Sequence, residues 1–206
     1  MDHMIDLRKI YPAAKIFPAE RARIRFVKLE DREEIERLWE IEQDELVAKF
    51  VENRCESIEE IAIFSANEKD YLVLAVEGKE GHVEDSEIGK LQGWLAFTQP
   101  SRSQLLRLKK KGLVDLIQGG LRVLEVGFAR HPKAKSGQVA SALRQAVRLL
   151  LEEHKKAEIG LTIIAYSDEE NEASRRVLTA AGFIPSGKIK YHTKNKTEDH
   201  FYILEN

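Results

Sequence analysis

The chain has 206 residues, of which 43% are hydrophobic and 7% aromatic, as in an ordinary globular protein. Its 33 basic and 35 acidic residues give a formal charge of -2, which excludes the strongly basic surface typical of proteins that bind nucleic acid or anionic membranes. This composition favours a small partner, and the length favours one domain.

Cys55 is the only cysteine, which excludes an internal disulfide framework and a thiolate zinc cage and favours a reducing compartment. No apolar run is long enough to cross a bilayer, and the first residues lack the apolar block of a signal peptide. We expect a cytoplasmic protein with no membrane contact. Residues 1–20 are expected to form an N-terminal extension, and residues 21–206 a single domain.

Alternating apolar and polar residues, together with runs of strand-forming residues, predict seven strands. They lie at residues 23–29, 71–78, 87–99, 123–130, 159–167, 186–192 and 199–205. Helical spacing of apolar residues predicts four helices. They lie over residues 30–50, 57–68, the segment after Lys135 that buries Val139, Leu143, Val147 and Leu150, and 171–183, with Gly182 as its C-cap.

This order of elements predicts an α/β (α+β) fold with a mixed sheet and helices on its faces. The strand at 123–130, the helix after it and the strand at 159–167 are expected to form a right-handed crossover unit. Residues 100–120 form an inserted segment whose leucines suggest a helix packed on the domain. These are Leu105, Leu106, Leu108, Leu113 and Leu116, with Ile117.

The segment from Lys135 to Ser141 lies where a strand gives way to a helix, so its backbone N–H groups are expected to point into one concavity. The helix dipole favours an anion there, Lys133 and Lys135 add positive charge, and Gly137 allows a close backbone approach. The alternative is a plain loop with solvated lysines. The segment matches neither a Walker motif nor a dinucleotide fingerprint.

His131 lies beside this loop, and a solvated loop histidine is a simpler interpretation of it than a catalytic one. The other histidines show no metal-ligand spacing, so no metal site is predicted.

The stretch from about residue 23 to residue 204 resembles the GNAT superfamily of acyl-CoA-dependent N-acetyltransferases. Three places carry the resemblance: "IRFVKLEDREEIERLWEI", "LEVGFARHPKAKSGQVASAL" and "NEASRRVLTAAGF". The second is similar to the family's pyrophosphate-binding signature, with Lys135 at its basic position. The strings "EVGFARHP" and "NEASRRVL" resemble the branch that acetylates ribosomal-protein N-termini and related amines.

The resemblance implies a mostly antiparallel sheet of about seven strands whose fourth and fifth strands splay apart. It also implies acetyl-CoA as the acetyl donor and a peptide or small-molecule amine as the acceptor, with a homodimer left open. The residues that it assigns to acetyl-CoA binding are Phe128, Ala129, Arg130, Lys135, Ser136, Gly137, Gln138, Val139, Ala140, Ser141, Asn171 and Ser174.

Two positions depart from the family pattern. Gln138 replaces a glycine of the signature, which implies a wider phosphate loop or a diphosphate nearer Gly137. Leu178 stands where many members carry the tyrosine that protonates the leaving thiolate. The intact order of elements favours an enzyme, whereas these departures favour a non-catalytic acyl-CoA-binding sensor or assembly module.

Glu125 is the candidate general base, because it lies in the apolar string "VLEVGF", where desolvation would raise the pKa of its carboxyl. The alternative is a structural glutamate paired with a lysine. Tyr166 and Tyr191 are candidates for the proton donor. Direct deprotonation of the acceptor amine through water is an alternative to Glu125.

Overall fold

The computed structural model describes residues 17–50, 55–66, 71–113, 122–158, 160–189 and 199–205. Six α-helices lie in these ranges: α1 (Arg32–Gln43), α2 (Glu45–Phe50), α3 (Ile58–Ala66), α4 (Arg102–Lys110), α5 (Gln138–Lys156) and α6 (Glu172–Ala181). The described strands are β1 (Phe17–Pro18), β2 (Ala22–Phe26), β3 (Tyr71–Gly78), β4 (Leu91–Thr98), β5 (Arg122–Arg130), β6 (Leu161–Ser167), β7 (Ile184–Ile189) and β8 (Asp199–Glu205).

The described strands form one sheet with the order β1-β2-β3-β4-β5-β6-β8-β7. Antiparallel pairing joins β1 to β2, β2 to β3, β6 to β8 and β7 to β8, whereas β5 and β6 run parallel. Their pairing joins Arg122–Glu125 to Leu161–Ile164, the first four residues of each strand. This mixed, mostly antiparallel sheet with flanking helices confirms the predicted fold class, and the short parallel pairing agrees with the expected splay.

The chain divides into two compact units. The first holds the described residues up to Phe97 together with Gly127–Ala146, and the second holds Thr98–Val126 and the described residues from Val147 onward. The first unit has a core of buried residues from α1, α3, β3, β4 and β5: Ile35, Leu38, Ile41, Ile61, Ala75, Leu91 and Ala129. The core of the second unit contains Leu108, Val123, Ile164, Ile189 and Phe201.

The predicted helix over residues 30–50 is two helices. Asp31 caps the first, since its carboxylate accepts a hydrogen bond from the Glu34 N–H. Asp44 ends that helix in an extended conformation, and its carboxylate accepts from the N–H of Val47 in the next one. The single-helix prediction was therefore wrong at Asp44, whose side chain competes for backbone donors.

The inserted segment begins as predicted with a helix, α4. Ser101 and Gln104 form a capping box at its start. Leu108 is fully buried, and Leu105 and Leu113 pack against the core of the second unit. Leu106 is 57% exposed, which contradicts its predicted packing. Leu116, Ile117 and Tyr191 lie outside the described residues.

The helix after the loop, α5, confirms the predicted buried face, because Val139, Leu143, Val147 and Leu150 are each at most 3% exposed.

The predicted N-terminal extension, residues 1–20, is described only from residue 17. Phe17 and Pro18 form β1 and pair with Ile24 and Arg23 of β2. Among the described helices, none is both long and apolar enough to cross a membrane.

Candidate active site

The loop between β5 and α5 turns at Gly137. Its φ of +87° is a left-handed conformation that residues with a side chain adopt only at a cost. α5 begins at the next residue, Gln138, and runs for 19 residues. The N–H groups in the first turn of a helix have no acceptor within the helix, and the helix dipole adds positive charge at that end. The predicted anion site depends on this backbone arrangement.

The side chains of this segment divide by burial. Lys135 and Ser136 are exposed, whereas Gly137 and Ala140 are half-buried. Val139 is buried in the core. The segment thus presents one lysine, one serine and backbone groups to a ligand, while its apolar residues anchor it.

A cavity of about 420 Å³ lies beside the loop and is lined by Arg21, Gly81, His82, Lys135, Ser136 and Gln138. Arg21 comes from the turn between β1 and β2. Its backbone N–H donates to Oγ of the buried Ser141 (2.9 Å). A Cβ added to Gly137 would lie 3.0 Å from the guanidinium of Arg21, so this cation lies directly against the loop. Sequence reasoning missed Arg21, because no motif links it to a loop more than a hundred residues later.

Gln138 is only 1% exposed although it lines this cavity. Its Nε2 donates to the backbone carbonyl of His82 (3.4 Å). Its Oε1 is buried without a hydrogen-bond partner. An unsatisfied buried acceptor costs about 1–3 kcal/mol, so the side-chain oxygen of Gln138 lowers the stability of the ligand-free fold.

A second cavity, of about 290 Å³, also has Lys135 in its lining, together with Glu84 and Glu87. Partial burial tends to raise the pKa of the Glu87 carboxyl. Hydrogen bonds from Gln92 (2.9 Å) and Arg37 (2.6 Å) outweigh burial, so that the net pKa is lowered and the carboxylate stays charged. The cavity beside Arg21 is therefore the better place for an anion.

His131 is fully buried, which contradicts the interpretation of a solvated loop residue. Its Nε2 lies 2.7 Å from a carboxylate oxygen of Glu40, and its Nδ1 accepts from the Lys133 N–H (3.2 Å). Burial lowers the pKa of His131 despite the hydrogen bond to Glu40, so the ring is neutral at pH 7. Both ring nitrogens are satisfied, and the ring is fixed under the loop.

The last residues of β5 lie just before this loop. Phe128 is half-buried, Ala129 is buried in the core, and the exposed Arg130 donates to the carbonyl of Ala134 (3.0 Å). A Cβ on Gly93 of β4 would lie 2.5 Å from the Ala129 carbonyl oxygen, so this glycine permits the two strands to approach. A role of the β5 backbone in binding stays a prediction.

In the second unit, Glu125 and Tyr166 lie on one face of the sheet. Glu125 pairs in register with Ile164, and Tyr166 is two residues further along β6, so both side chains lie on the α4-covered face. The Nε2 of Gln104 in α4 donates to the Glu125 carboxylate (3.4 Å). The inserted helix therefore contacts the candidate base directly.

Tyr166 packs against Phe201, with 5.4 Å between ring centroids. Burial raises the pKa of Tyr166, and the negative charges of Glu125 and Asp199 raise it further. The phenol is therefore protonated throughout the neutral range. It is well suited to donate a hydrogen bond and poorly suited to lose its proton.

Asn171 caps α6, because its Oδ1 accepts from the N–H of Ser174 (3.0 Å). Oγ of Ser167 donates to the carbonyl of Asn171 (3.2 Å). Ser174 is half-buried one turn into the helix. The side-chain oxygen of Asn171 thus has a structural role as the helix cap, and contact of Asn171 with a ligand stays a prediction.

The sequence profile of the acetyltransferase (GNAT) domain matches residues 21–184. The chain belongs to the GNAT acetyltransferase family. This membership explains the order of elements around the loop. No curated protein sequence matches the chain.

Solved structures of acetyltransferases share the fold. The chain is 20% identical to a GNAT-family acetyltransferase from Bacillus anthracis, covering 93% of this chain and 98% of that one with a TM-score of 0.64. It is 17% identical to a ribosomal-protein-S5-alanine acetyltransferase from Vibrio fischeri, with coverage of 93% and 97% and a TM-score of 0.60. It is 15% identical to Mycobacterium smegmatis RimJ in complex with CoA-disulfide, with coverage of 92% and 86% and a TM-score of 0.60.

Within this GNAT chain, the two departures have different structural outcomes. Leu178 is fully buried, so a core residue occupies the position at which the resemblance expects a proton donor. Gln138 folds its side chain against the His82 carbonyl, and it leaves the left-handed turn at Gly137 intact. Leu178 thus lacks the hydroxyl of the tyrosine that it replaces, whereas Gln138 adds a side-chain amide beside the loop.

Proposed function

We propose that this GNAT protein is an N-acetyltransferase that transfers an acetyl group from acetyl-CoA to a primary amine. The reaction is a direct transfer in a ternary complex. The observation that carries the proposal is the basic cavity at the N-terminus of α5, where Arg21 and Lys135 lie beside the glycine turn. Its donors suit a phosphorylated ligand, and the family supplies the reaction class.

Acetyl-CoA fits the chemistry of these residues. When bound, it supplies an activated acetyl group as a thioester. The first-turn N–H groups of α5, with Lys135 and Ser136, would hold its diphosphate, and Gly137 would let the backbone approach it. The CoA-disulfide complex of the Mycobacterium smegmatis protein supports a CoA ligand for this fold.

Glu125 accepts the proton from the acceptor amine in this proposal. Gln104 orients the carboxylate through its side-chain amide, and the apolar core around Ile164 limits access of water. Tyr166 keeps its proton and acts as a hydrogen-bond donor, since burial and two carboxylates raise its pKa. Thiols are much stronger acids than water, with a pKa of about 8.5 for a cysteine side chain, so a thiolate is a good leaving group and can depart without an acid.

Direct transfer is preferred to a covalent enzyme intermediate. Cys55 is the only cysteine of the chain, and burial together with the charges of Glu42 and Glu60 raises the pKa of its thiol to about 11. A protonated thiol is a weak nucleophile. Cys55 is therefore not assigned to the chemistry.

A peptide N-terminus or a small-molecule amine is the proposed acceptor, within a ribosomal-protein N-terminal acetyltransferase-like branch. The name of the Vibrio fischeri structure, a ribosomal-protein-S5-alanine acetyltransferase, supports the peptide. The single cysteine supports a cytoplasmic site of action, since reducing compartments disfavour disulfides.

Thermal unfolding with and without acetyl-CoA tests the ligand. A ligand that binds only the native state adds about 2.7 kcal/mol at a hundredfold excess over Kd. Lys135→Glu places a negative charge in the cavity and is expected to remove most of this stabilisation. Lys155→Glu makes the same change near the other end of α5, where the side chain is exposed, and should retain it. No stabilisation of the parent at millimolar acetyl-CoA would refute the assignment.

The second candidate function is acyl-CoA binding without turnover, in sensing or assembly. The fully buried Leu178 favours it, because no phenol stands at that position. Thiol release measured across peptide N-termini, polyamines, amino acids and aminoglycosides distinguishes the two. Tight CoA binding with no turnover of any amine would favour the second function.

A further inference from the structure

Helix α4 differs in charge from the other described helices. Its sequence, RSQLLRLKK, has four cations and no acidic residue. Each of the other described helices contains at least one glutamate. Exposed arginines on three of those helices pair with a glutamate one turn away: Arg32 with Glu36, Arg148 with Glu152 and Arg176 with Glu172. Helix α4 offers its own cations no such partner.

The four cations of α4 are exposed and form no ion pair with any residue that the structure describes. They are Arg102, Arg107, Lys109 and Lys110. The helix dipole explains part of this charge, because the last three lie in the final turn, where cations stabilise a helix. Arg102 lies in the first turn, where the dipole disfavours a cation. Arg107 and Lys110 have the spacing at which like charges on a helix repel. The charge of α4 therefore suits an anionic partner better than it suits the helix itself.

Part of this charge lies next to the candidate base. The side chain of Gln104 donates to the carboxylate of Glu125 (3.4 Å). Helical spacing places Arg107 one turn further along that side of α4, and Lys110 one turn beyond Arg107. Leu106, which is 57% exposed, neighbours Lys110 one turn away. These three exposed residues, Leu106, Arg107 and Lys110, form a basic ridge that leads away from Glu125.

We propose that the basic ridge binds an acidic peptide segment that follows the N-terminal amine of the acceptor. The inference rests on the proposed function, in which Glu125 takes the proton of that amine. Carboxylates of the segment pair with Arg107 and Lys110, and an apolar side chain covers Leu106. Lys110 lies about 9 Å along the helix axis from Gln104, which is the length of about three residues of extended peptide. The acidic residues therefore begin at about the third position of the acceptor.

The ridge suits an acidic peptide better than a nucleic acid. The chain has a formal charge of -2, so the basic surface of α4 is local and does not extend into the broad field that a phosphate backbone requires. The sequence of α4 contains no aromatic residue on which a base could stack. Its exposed apolar residue is a leucine, which packs against aliphatic side chains.

Acetylation of two matched peptides tests the proposal. Both have the same first two residues and one leucine, followed by glutamates in one peptide and glutamines in the other. The parent is expected to acetylate the glutamate peptide with a kcat/KM about fivefold higher, the effect of two exposed ion pairs acting together. The difference should lie in KM, because docking stabilises the bound substrate and the transition state equally. High salt should reduce it.

Arg107→Gln with Lys110→Gln is expected to reduce the preference to about twofold or less and to leave kcat/KM for the glutamine peptide unchanged. The matched control is Lys155→Gln with Lys156→Gln, which removes two exposed cations from the last turn of α5. It matches the loss of the dipole interaction and should keep the parental preference.

Lys109→Gln is a control within the same helix. Helical spacing places Lys109 beside Leu105, on the flank of α4 away from Gln104. Its substitution should change the preference less than Arg107→Gln does. Equal effects of the two single variants would assign the preference to the total charge of α4 and would overturn the ridge.

Three other results would overturn the proposal. The first is a parent that acetylates both peptides equally well, in which case the enzyme stands and the docking surface fails. The second is an equal loss of activity toward both peptides in the double variant, which would indicate a structural role of α4. The third is tighter binding of a short poly(U) RNA than of the glutamate peptide, lost in the double variant.

Calorimetric titration with the two peptides separates docking from turnover. If no amine is acetylated but the glutamate peptide still binds more tightly, and Arg107→Gln with Lys110→Gln removes the difference, the acetyltransferase proposal fails and the docking surface stands. Binding of neither peptide would overturn the docking surface whatever the turnover.

Discussion

Gly137→Ala is the sharpest perturbation of the candidate site, because one methyl group tests both the turn and the ligand approach. The left-handed φ of +87° costs an alanine about 1–2 kcal/mol. The lower entropy of the unfolded alanine chain returns about 0.4–1 kcal/mol. The added Cβ meets the Arg21 guanidinium at 3.0 Å, which a flexible, half-exposed side chain relieves by moving. The net loss of stability is expected to be about 1 kcal/mol, or about 2–4 °C in Tm.

The effect of Gly137→Ala on ligand affinity should be larger than its effect on stability. The methyl group prevents close approach of the loop backbone and displaces Arg21 from the cavity. Loss of one hydrogen bond to a charged group is worth about 1.5–3 kcal/mol, which is about 10- to 100-fold in Kd. Thermal unfolding and calorimetric titration with CoA measure the two effects separately.

Gly112→Ala is the control, since Gly112 also has a left-handed φ, of +68°, but no atom lies within 4 Å of its added Cβ. The two variants should lose similar stability, and only Gly137→Ala should lose affinity. If Gly137→Ala is destabilised yet binds CoA with the parental Kd, the loop backbone does not approach the ligand, and the argument for the diphosphate site is wrong.

Three further predictions concern separate groups. Glu125→Gln should lower kcat/KM for a good amine by about 100- to 10,000-fold with CoA affinity unchanged, and full activity would remove Glu125 from the mechanism. Asn171→Ala should cost about 1 kcal/mol of stability by loss of the α6 cap with CoA affinity retained, and a tenfold loss of affinity would instead indicate ligand contact. Burial lowers the folded-state pKa of His131, so the unfolded chain takes up the proton first as pH falls below about 6.5. The free energy of unfolding should therefore fall between about pH 6.5 and 5, by at most about 1.4 kcal/mol per pH unit for this group. His131→Asn should make the free energy of unfolding less dependent on pH in this range, while the buried His154, whose pKa is also lowered, keeps its contribution. Urea titrations at several pH values measure this dependence. The same dependence on pH in the variant and the parent would contradict a lowered pKa for His131.

Much of the fold follows from local chemistry that a sequence displays. Asn171 and Gly182 mark the two ends of α6, because a side-chain acceptor and a left-handed glycine are what helix ends require. The apolar residues from Val139 to Leu150 recur on one side of α5, and that face is buried. The turn at Gly137 belongs to the same class, since a glycine is favoured at a positive φ.

Competition between neighbouring groups decided other features. Asp44 lies within a periodic apolar pattern that predicts one helix, yet its side chain takes the Val47 N–H and begins a second. Leu106 has the same residue type as the buried Leu108, and only the direction in which α4 packs leaves it exposed. Exposed and buried leucines of one helix have similar neighbours in the sequence, so the sequence pattern could not distinguish Leu106 from Leu108.

The sequence by itself determined the mixed sheet, the helix that follows the glycine turn, and the resemblance that leads to the GNAT family. Tertiary structure alone decided which distant side chains meet at that turn. Arg21 reaches Gly137, the carbonyl of His82 takes the amide of Gln138, and Glu40 holds a buried His131. Caps and periodicity act between residues a few positions apart and leave a local pattern. Contacts between residues about 55 to 120 positions apart form only when the elements pack, so no local pattern records them.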